Sequence, residues 1–488
     1  MLTLDGSIAE PDRAASYEAA GQMIARNCDL LIAVWDRAMP PKGRGGTADT
    51  VHFALTIGVP VWWIDASGRE PPRLLGDTLA FWGMTQGVAA PIALDRVLRA
   101  VLHPPDPIEP HAAHRKPARA DALLTYLDEP LRSNRNFWLL HSGTIGHLRR
   151  KWADARLGTR QGSTPWSANH AVLATFLPFS RGAFDAERSV PSQLAASYQH
   201  GYRTSYLLVL MLGAIALAAA IWGLSTLSWR EWSPAVELLS LGGVAILVRC
   251  NGKGAWHERY IDYRLISELA RLNRPLALLG WALPFAQMRR AAGTHEQNWV
   301  AWLAGAHARE APLPAGAMHA ALPTIQRRIL TELIANQREF HQRRHTECSE
   351  ANRRFGTLAL GTFFATLLVV VLKIVLIASP IRVAVDGLAA RHGLGDPGNW
   401  LDLLSVGLPA ISAALFGIKA YEEFEQLAEL SSRMIADLDA ADARIGSINP
   451  ALPLASRVMG DETRAIVETM LSEIGGWAQM FRARAVEE

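Results

Sequence analysis

Cysteine is almost missing from this chain. Among 488 residues only Cys28, Cys250 and Cys348 carry a thiol, an odd number spread far apart. That scarcity excludes a disulfide-framed secreted fold and leaves no CxxC metal knuckle. Excess charge is missing too: 49 Lys+Arg against 46 Asp+Glu gives a formal net charge of +3, too near neutral for nucleic acid to be the main partner. The opening MLTLDGSIAEPDRAAS has neither the basic start nor the apolar core of a secretory signal, so the amino-terminal region is expected to stay in the cytoplasm. Catalytic signatures are equally scarce. HEQNW at His295 is not HExxH, no GK[ST] follows the glycine-rich loop near residue 45, and no nucleophile–base pair stands out. No metal site, required cofactor or catalytic residue is therefore expected.

What the chain does have is long apolar runs, into which its 50% hydrophobic residues are bunched. SYLLVLMLGAIALAAAIWGL, residues 205–224, is uncharged and matches the ~20 residues needed to cross ~30 Å of hydrocarbon as a helix. SPAVELLSLGGVAILV, from Ser233, is shorter, and it can span if Glu237 sits at the interface between Trp232 and Arg249. FGTLALGTFFATLLVVVLKIVLIA, residues 355–378, is the strongest run, broken only by Lys373. That lysine can snorkel to the headgroups or line an anion-attracting pore mouth. WLDLLSVGLPAISAALFGI, residues 400–418, has Pro409 in its middle, expected to bend it. Flanking arginines and lysines, among them Arg249, Lys253, Arg259 and Arg264 after the second run and Arg343, Arg344, Arg353 and Arg354 before the third, place both termini and the long centre in the cytoplasm. The spans lack paired charges, which argues against an ion-coupled transporter, although Glu237, Lys373 and Pro409 keep that option open.

The two pairs of runs share their surroundings. A charged helix leads into each, and an aromatic-rich charged helix leads out. In the first trailing helix Trp256, Tyr260 and Tyr263 form one stripe and Ile261, Leu265, Leu269 and Leu272 another; in the second, Phe424, Leu427, Met434 and Leu438 recur near a 3.5-residue spacing. Helix packing is the expected use of these stripes. Between the hairpins, RPLALLGWALPFAQMRR is too short an apolar stretch before Pro284 to be a fifth span. Trp281, Trp299 and Trp302 could rest at the headgroups or fill a cytoplasmic core.

At the other end, NCDLLIAVWDRAMPPKGRGGTADTVHFALTIGVPVWWIDA reads as strand, glycine loop, helix, strand, which sets a parallel order with a right-handed crossover. Leu2–Leu4, Leu30–Trp35 and Val61–Ile64 are the expected strands, and three parallel strands make a poor independent sheet. The loop suits a phosphate. Gly43, Gly45 and Gly46 let backbone amides approach closely, Thr47 is the expected helix cap, and Lys42 and Arg44 add positive charge. Asp36, at the end of its strand, could accept a hydrogen bond from a ribose or base, and Asp49 suits the helix dipole. A tight turn that binds nothing is the competing reading of GRGGT.

This amino-terminal stretch resembles the nucleotide-sensing Rossmann-like domains of the SLOG superfamily, and the paired membrane helices resemble the SLATT effector class of bacterial defence and conflict systems. The resemblance implies a multidomain protein: a partial α/β Rossmann-like domain (residues 1–85), a mixed linker and helical region (86–196), a first hairpin with flanking helices (197–272, spans about 205–224 and 233–249), a cytoplasmic or interfacial linker (273–325), a second hairpin (326–443, spans about 355–378 and 400–418) and a cytoplasmic helical tail (444–488). It further implies a nucleotide or ADP-ribose-type ligand held by Gly43, Gly45, Gly46 and Thr47 with Asp36 at the strand end, to which the loop's own charge adds Lys42 and Arg44 as candidates. The lipid bilayer of a bacterial inner membrane and further copies of the chain are the implied partners. The leading expectation is a ligand-gated effector that permeabilises the membrane without turnover. A membrane-tethered nucleotide-processing enzyme using Asp36 or Glu18 is the alternative, and a structural membrane scaffold a third.

Overall fold

The computed structural model describes residues 2–37, 43–75, 90–105, 122–129, 183–225, 231–293, 298–310, 313–378, 397–422 and 424–484. Lys42, His295 and most of the mixed region 86–196 lie outside them.

The amino-terminal part is a small α/β layer. Helix α1 (Arg13–Arg26) precedes strand β2 (Leu31–Val34), helix α2 (Thr47–Thr56) crosses over to β3 (Val61–Ile64), and β4 (Arg73–Leu75) follows. Strands β2 and β3 are parallel, with Leu31 opposite Val61 and Val34 opposite Ile64, as the strand–loop–helix–strand pattern requires. The third strand differs from the expectation. Leu2–Thr3, strand β1, does not join this sheet but pairs in parallel with β5 (Gly316–Ala317). The vacant edge is taken by β4, antiparallel to β3, whose three residues are too short to signal a strand in sequence. Ala25, Val51, Ala54, Ile57 and Val61 form the local core, and α3 (Ala90–Leu102) covers β4 through Ala93, Val97 and Val101.

The rest is helical. After α4 (Ala122–Leu127), helix α5 (Ala183–Ser225) runs into the first apolar stretch, α6 (Ser233–Gly254) returns, and α7 (Trp256–Leu278) folds back along α5. Ala255, in left-handed backbone at φ 47°, separates α6 from α7. Gly280 ends α7: at φ +73° it lets its own amide reach Ala277 O and the Trp281 amide reach Leu276 O, a paired closure that a side chain would strain. Then come α8 (Phe285–Ala292), α9 (Trp299–Glu310), α10 (Met318–Arg328), a π-helical segment (Ile329–Ala335), α11 (Asn336–Ala378), α12 (Pro397–Glu422), α13 (Phe424–Ser447) and α14 (Ala455–Arg484). Helix α13 lies along α11 as α7 lies along α5.

The expected linker and tail are the centre of the molecule. Leu276, Leu279, Trp281, Leu283, Met288 and Val300 join Met459, Val467 and Met470 of α14 in one continuous core. Trp281 fills that core and Trp299 and Trp302 pack against it, so all three rings are used in packing. The helical stripes point inward: Ile261, Leu265, Leu269 and Leu272, and Leu427, Met434 and Leu438, are all buried.

Among the described residues four helices are long and apolar enough to cross a membrane. No more than 17% of the most apolar window in any of them is buried by protein, and Leu239 is 76% and Leu368 69% exposed. Water would not tolerate apolar patches of that extent, so this is a multi-pass membrane region whose outer face needs lipid as its solvent. Within the first hairpin Gly243 meets Leu212 and Gly223 meets Ser233, small residues that let the helices approach. Within the second, the Ser412 hydroxyl donates to Ala359 O at 2.9 Å. The hairpins also touch each other, through α5 and α12.

Removing side-chain volume should therefore cost stability only below the membrane. Leu265→Ala is expected to lower the unfolding free energy by ~2–5 kcal/mol, and Leu368→Ala by about 0.5 kcal/mol or less, measured by denaturant unfolding in detergent.

Candidate functional site

The glycine loop lies at the end of α2, where Gly46 is the N-cap residue (φ −81°, ψ 175°) and Thr47 the first helical residue. This corrects the expected cap: glycine has no side chain to offer, and Asp49 in the first turn reaches back instead, its Oδ2 accepting the Gly45 amide at 3.0 Å. Gly45 has a steric role as well. At φ +81° a Cβ there would stand 2.7 Å from Glu18 N and 2.8 Å from Ala14 O, so the loop is pressed against α1. Gly43, at φ +112°, faces open space.

Arg44 reaches from this loop along the surface, and its Nε donates to Glu18 Oε2. The same carboxylate receives two further bonds from α14, Arg457 Nη1 to Oε2 at 2.9 Å and Nη2 to Oε1 at 2.8 Å. Burial alone would raise the Glu18 pKa, and the hydrogen bonds from Arg457 and Arg44 outweigh it and hold the carboxyl below its ordinary 4.5. The loop is thereby clasped to the carboxy-terminal helix through one acid.

A second clasp lies beside it. Arg26, the last residue of α1, is 3% exposed, with its guanidinium 3.6 Å from the Trp281 ring centroid and 4.6 Å from that of Phe53. Asp461 of α14 pairs with it at 3.5 Å. Burial lowers its pKa to about 10, which still leaves it charged at neutral pH. A third contact closes the amino terminus: the Asp5 carboxylate accepts the Ser456 amide at 2.7 Å and the Ser456 hydroxyl, capping α14.

The ends of β2 and β3 carry a separate polar rim. Asp36 sits 3.8 Å from Arg69, while Arg37 and Arg73 lie over the Trp63 ring. Asp65 organises the following turn, taking bonds from the Ser67 hydroxyl at 2.6 Å and the Arg69 amide at 2.7 Å, and the Ser67 bond is foremost in holding its pKa at about 2. Asp36 and Arg44 thus answer to different partners. A cavity of about 210 Å³ between Leu4–Ile8, α1 and the start of α14 is lined by Arg457, Tyr17 and Trp281 and by none of the candidate loop residues.

The membrane candidates occupy three separate helices. Glu237 lies one turn into α6, half-buried; Lys373 lies near the end of α11, half-buried; Pro409 lies inside α12, exposed, with the helix continuous from Pro397 to Glu422. Among the described residues no cluster of His, Cys, Asp and Glu is gathered for a metal ion.

Pattern reading did not single out Arg26, Arg457, Asp461, Asp65 or Arg69. Arg26 stands at the apolar end of α1, but nothing in a sequence pairs it with an aspartate 435 residues away. Comparison with protein-family models, with curated proteins and with solved structures finds no match to the chain.

The Glu18 clasp should titrate. Because its folded pKa is depressed, its contribution is fully present above the ordinary value of 4.5 and is lost as pH falls through the lower folded value. Hydrogen exchange of α1 measured down through that range should show α1 loosening in the parent, while Glu18→Gln should be loosened at every pH and lack that acid step. An unaltered acid step in Glu18→Gln would assign the titration to another group.

Proposed function

We propose that the chain is an integral membrane effector, gated by a nucleotide-derived ligand and acting by membrane permeabilisation in a bacterial defence or conflict system. The observation that supports it best is the Glu18 carboxylate held at once by Arg44 of the glycine loop and Arg457 of α14. Helix α14 packs against α7 and α13, which are the helices leading out of the two membrane hairpins. A phosphate at the loop is therefore one acid and one helix away from both pairs of spans.

In this reading Asp36, Lys42, Gly43, Arg44, Gly45, Gly46 and Thr47 receive the ligand. An incoming phosphate competes with Glu18 for Arg44 and with Asp49 for the Gly45 amide, the two loop donors that the chain itself now occupies. A ligand shifts an equilibrium only by its unequal affinity for two states. Here the inequality arises because the state with Arg44 released has a cation to offer and the clasped state does not. Both termini face the cytoplasm, the flanking arginines setting that orientation, and several copies assemble, since four spans do not readily enclose a pore alone.

Dye release from proteoliposomes, with a panel of cyclic and ADP-ribose-type nucleotides, tests the reading. Leakage should appear with a ligand and be absent without one. Gly46→Glu should insert normally yet lose the response, and Glu18→Gln should leak about tenfold more than the parent in the absence of ligand. Nucleotide turnover without leakage, abolished by Asp36→Asn, would replace the effector with a tethered enzyme. Leakage indifferent to every nucleotide and to Gly46→Glu would remove the gate altogether.

A further inference from the structure

Below the membrane region, three long helices meet around a second cavity of about 320 Å³. Ser192 of α5 lines it from the helix leading into the first hairpin, Arg271 and Arg274 from α7 leading out of it, and Arg328 and Gln337 from α10 and α11 leading into the second. In it the approaches to both hairpins share a wall with the helix between them.

Its chemistry is cationic. Among the described residues three arginines line it with two carboxylates, Glu268 and Glu332. Glu268 is engaged by Arg271, whose Nε donates to it at 2.6 Å, and Glu332 is the partner of Arg328 at 3.6 Å. The remaining nitrogen of Arg271, Nη1, is buried without a hydrogen-bond partner. A buried guanidinium N–H left unmet is costly, and an acceptor placed in the cavity would meet it. The surroundings add to the positive field. Arg264 and Arg344 also act on Glu268, and His341 nearby is held to a pKa of about 4, first by burial and then by Arg344 and Arg271. The wall on the α10–α11 side is the π-helical segment Ile329–Ala335, a widened turn of the kind that often stands at binding sites.

We propose that this cavity binds a phosphorylated anion free in solution, which ties the α7 arginines to the π-helical segment and so couples the two hairpins. Phosphate oxygens suit arginine forks, which can engage them in pairs. A lipid headgroup offers the same chemistry, but position argues against it. From Asn336 to Phe355, where the third span begins, α11 rises about 28 Å at ~1.5 Å per residue. The interfacial layer outside the hydrocarbon is only about 5–8 Å deep on each side.

The site is distinct from the glycine loop, and its test separates the two. The full chain in phosphatidylcholine nanodiscs is titrated with inorganic phosphate and with pyrophosphate by calorimetry. Pyrophosphate is expected to bind, and more tightly than phosphate. Arg274→Gln should weaken it at least tenfold; Gln337→Glu, which places a carboxylate in the cavity without removing any existing ion pair, should weaken it by as much. The binding component that Arg274→Gln and Gln337→Glu weaken should persist in Gly46→Glu, so that a failed glycine loop and a failed cavity give different patterns. Equal affinity in the parent, Arg274→Gln and Gln337→Glu would overturn the proposal, as would the absence of any pyrophosphate binding. Occupancy that appears only when phosphatidylglycerol replaces phosphatidylcholine, with no added anion, would assign the cavity to lipid and overturn it equally.

Discussion

The arrangement of the whole protein depends on one buried cation. Arg26 lies between the rings of Phe53 and Trp281 with Asp461 beside it, and those four residues come from α1, α2, the turn after α7 and α14. A guanidinium so enclosed is stable only while its aromatic faces and its carboxylate remain in place, because leaving it uncompensated in that setting costs several kcal/mol. The α/β layer cannot slide on the helical body in small steps. A displacement of either part would strip the guanidinium of a ring face or of its carboxylate.

A single core serves both membrane hairpins. The segment between them supplies α8, α9 and α10, and the last helix, α14, runs through the same cluster, so α7 and α13 pack on shared neighbours. The continuity of α10, the π-helical segment and α11 makes the same point along one rod. Met318 at one end lies in that core, and Leu376 lies in the apolar region at the other. Movement of the core is geometrically movement of the spans. Inside the bilayer the helices of each hairpin lie closely against each other, with glycines and serines at points of approach and bare leucine on the outward faces, as expected where lipid competes with protein for apolar surface.

Much of this was legible in the sequence, and what was not has definite causes. Runs such as SYLLVLMLGAIALAAAIWGL announce themselves by length and lack of charge, because the cost of a charge in hydrocarbon leaves few other compositions. The stripes Ile261–Leu265–Leu269–Leu272 follow from helical periodicity, as the β2–α2–β3 order follows from crossover handedness. The misplacements share one origin. Leu2–Thr3 pairs with Gly316–Ala317, Asp5 with Ser456 and Glu18 with Arg457, all contacts across hundreds of residues, for which periodicity holds no information. Local chemistry misled once, at Thr47, where the residue type suited a cap and backbone geometry gave the position to Gly46. The glycine loop itself was recognisable, but that its amide and its arginine are already bonded to Asp49 and Glu18 was not.

The bond between Asp5 and Ser456 spans 451 residues and has a bearing on how the molecule is made. At ~5–20 residues per second of synthesis, about 20–90 s separate the emergence of its two halves from the ribosome. During that interval all four hydrophobic stretches have left the exit tunnel while the first strand still lacks its last anchor. All four are thus synthesised before the restraint can form, and every newly made molecule passes through an unlatched form on its way to the closed one.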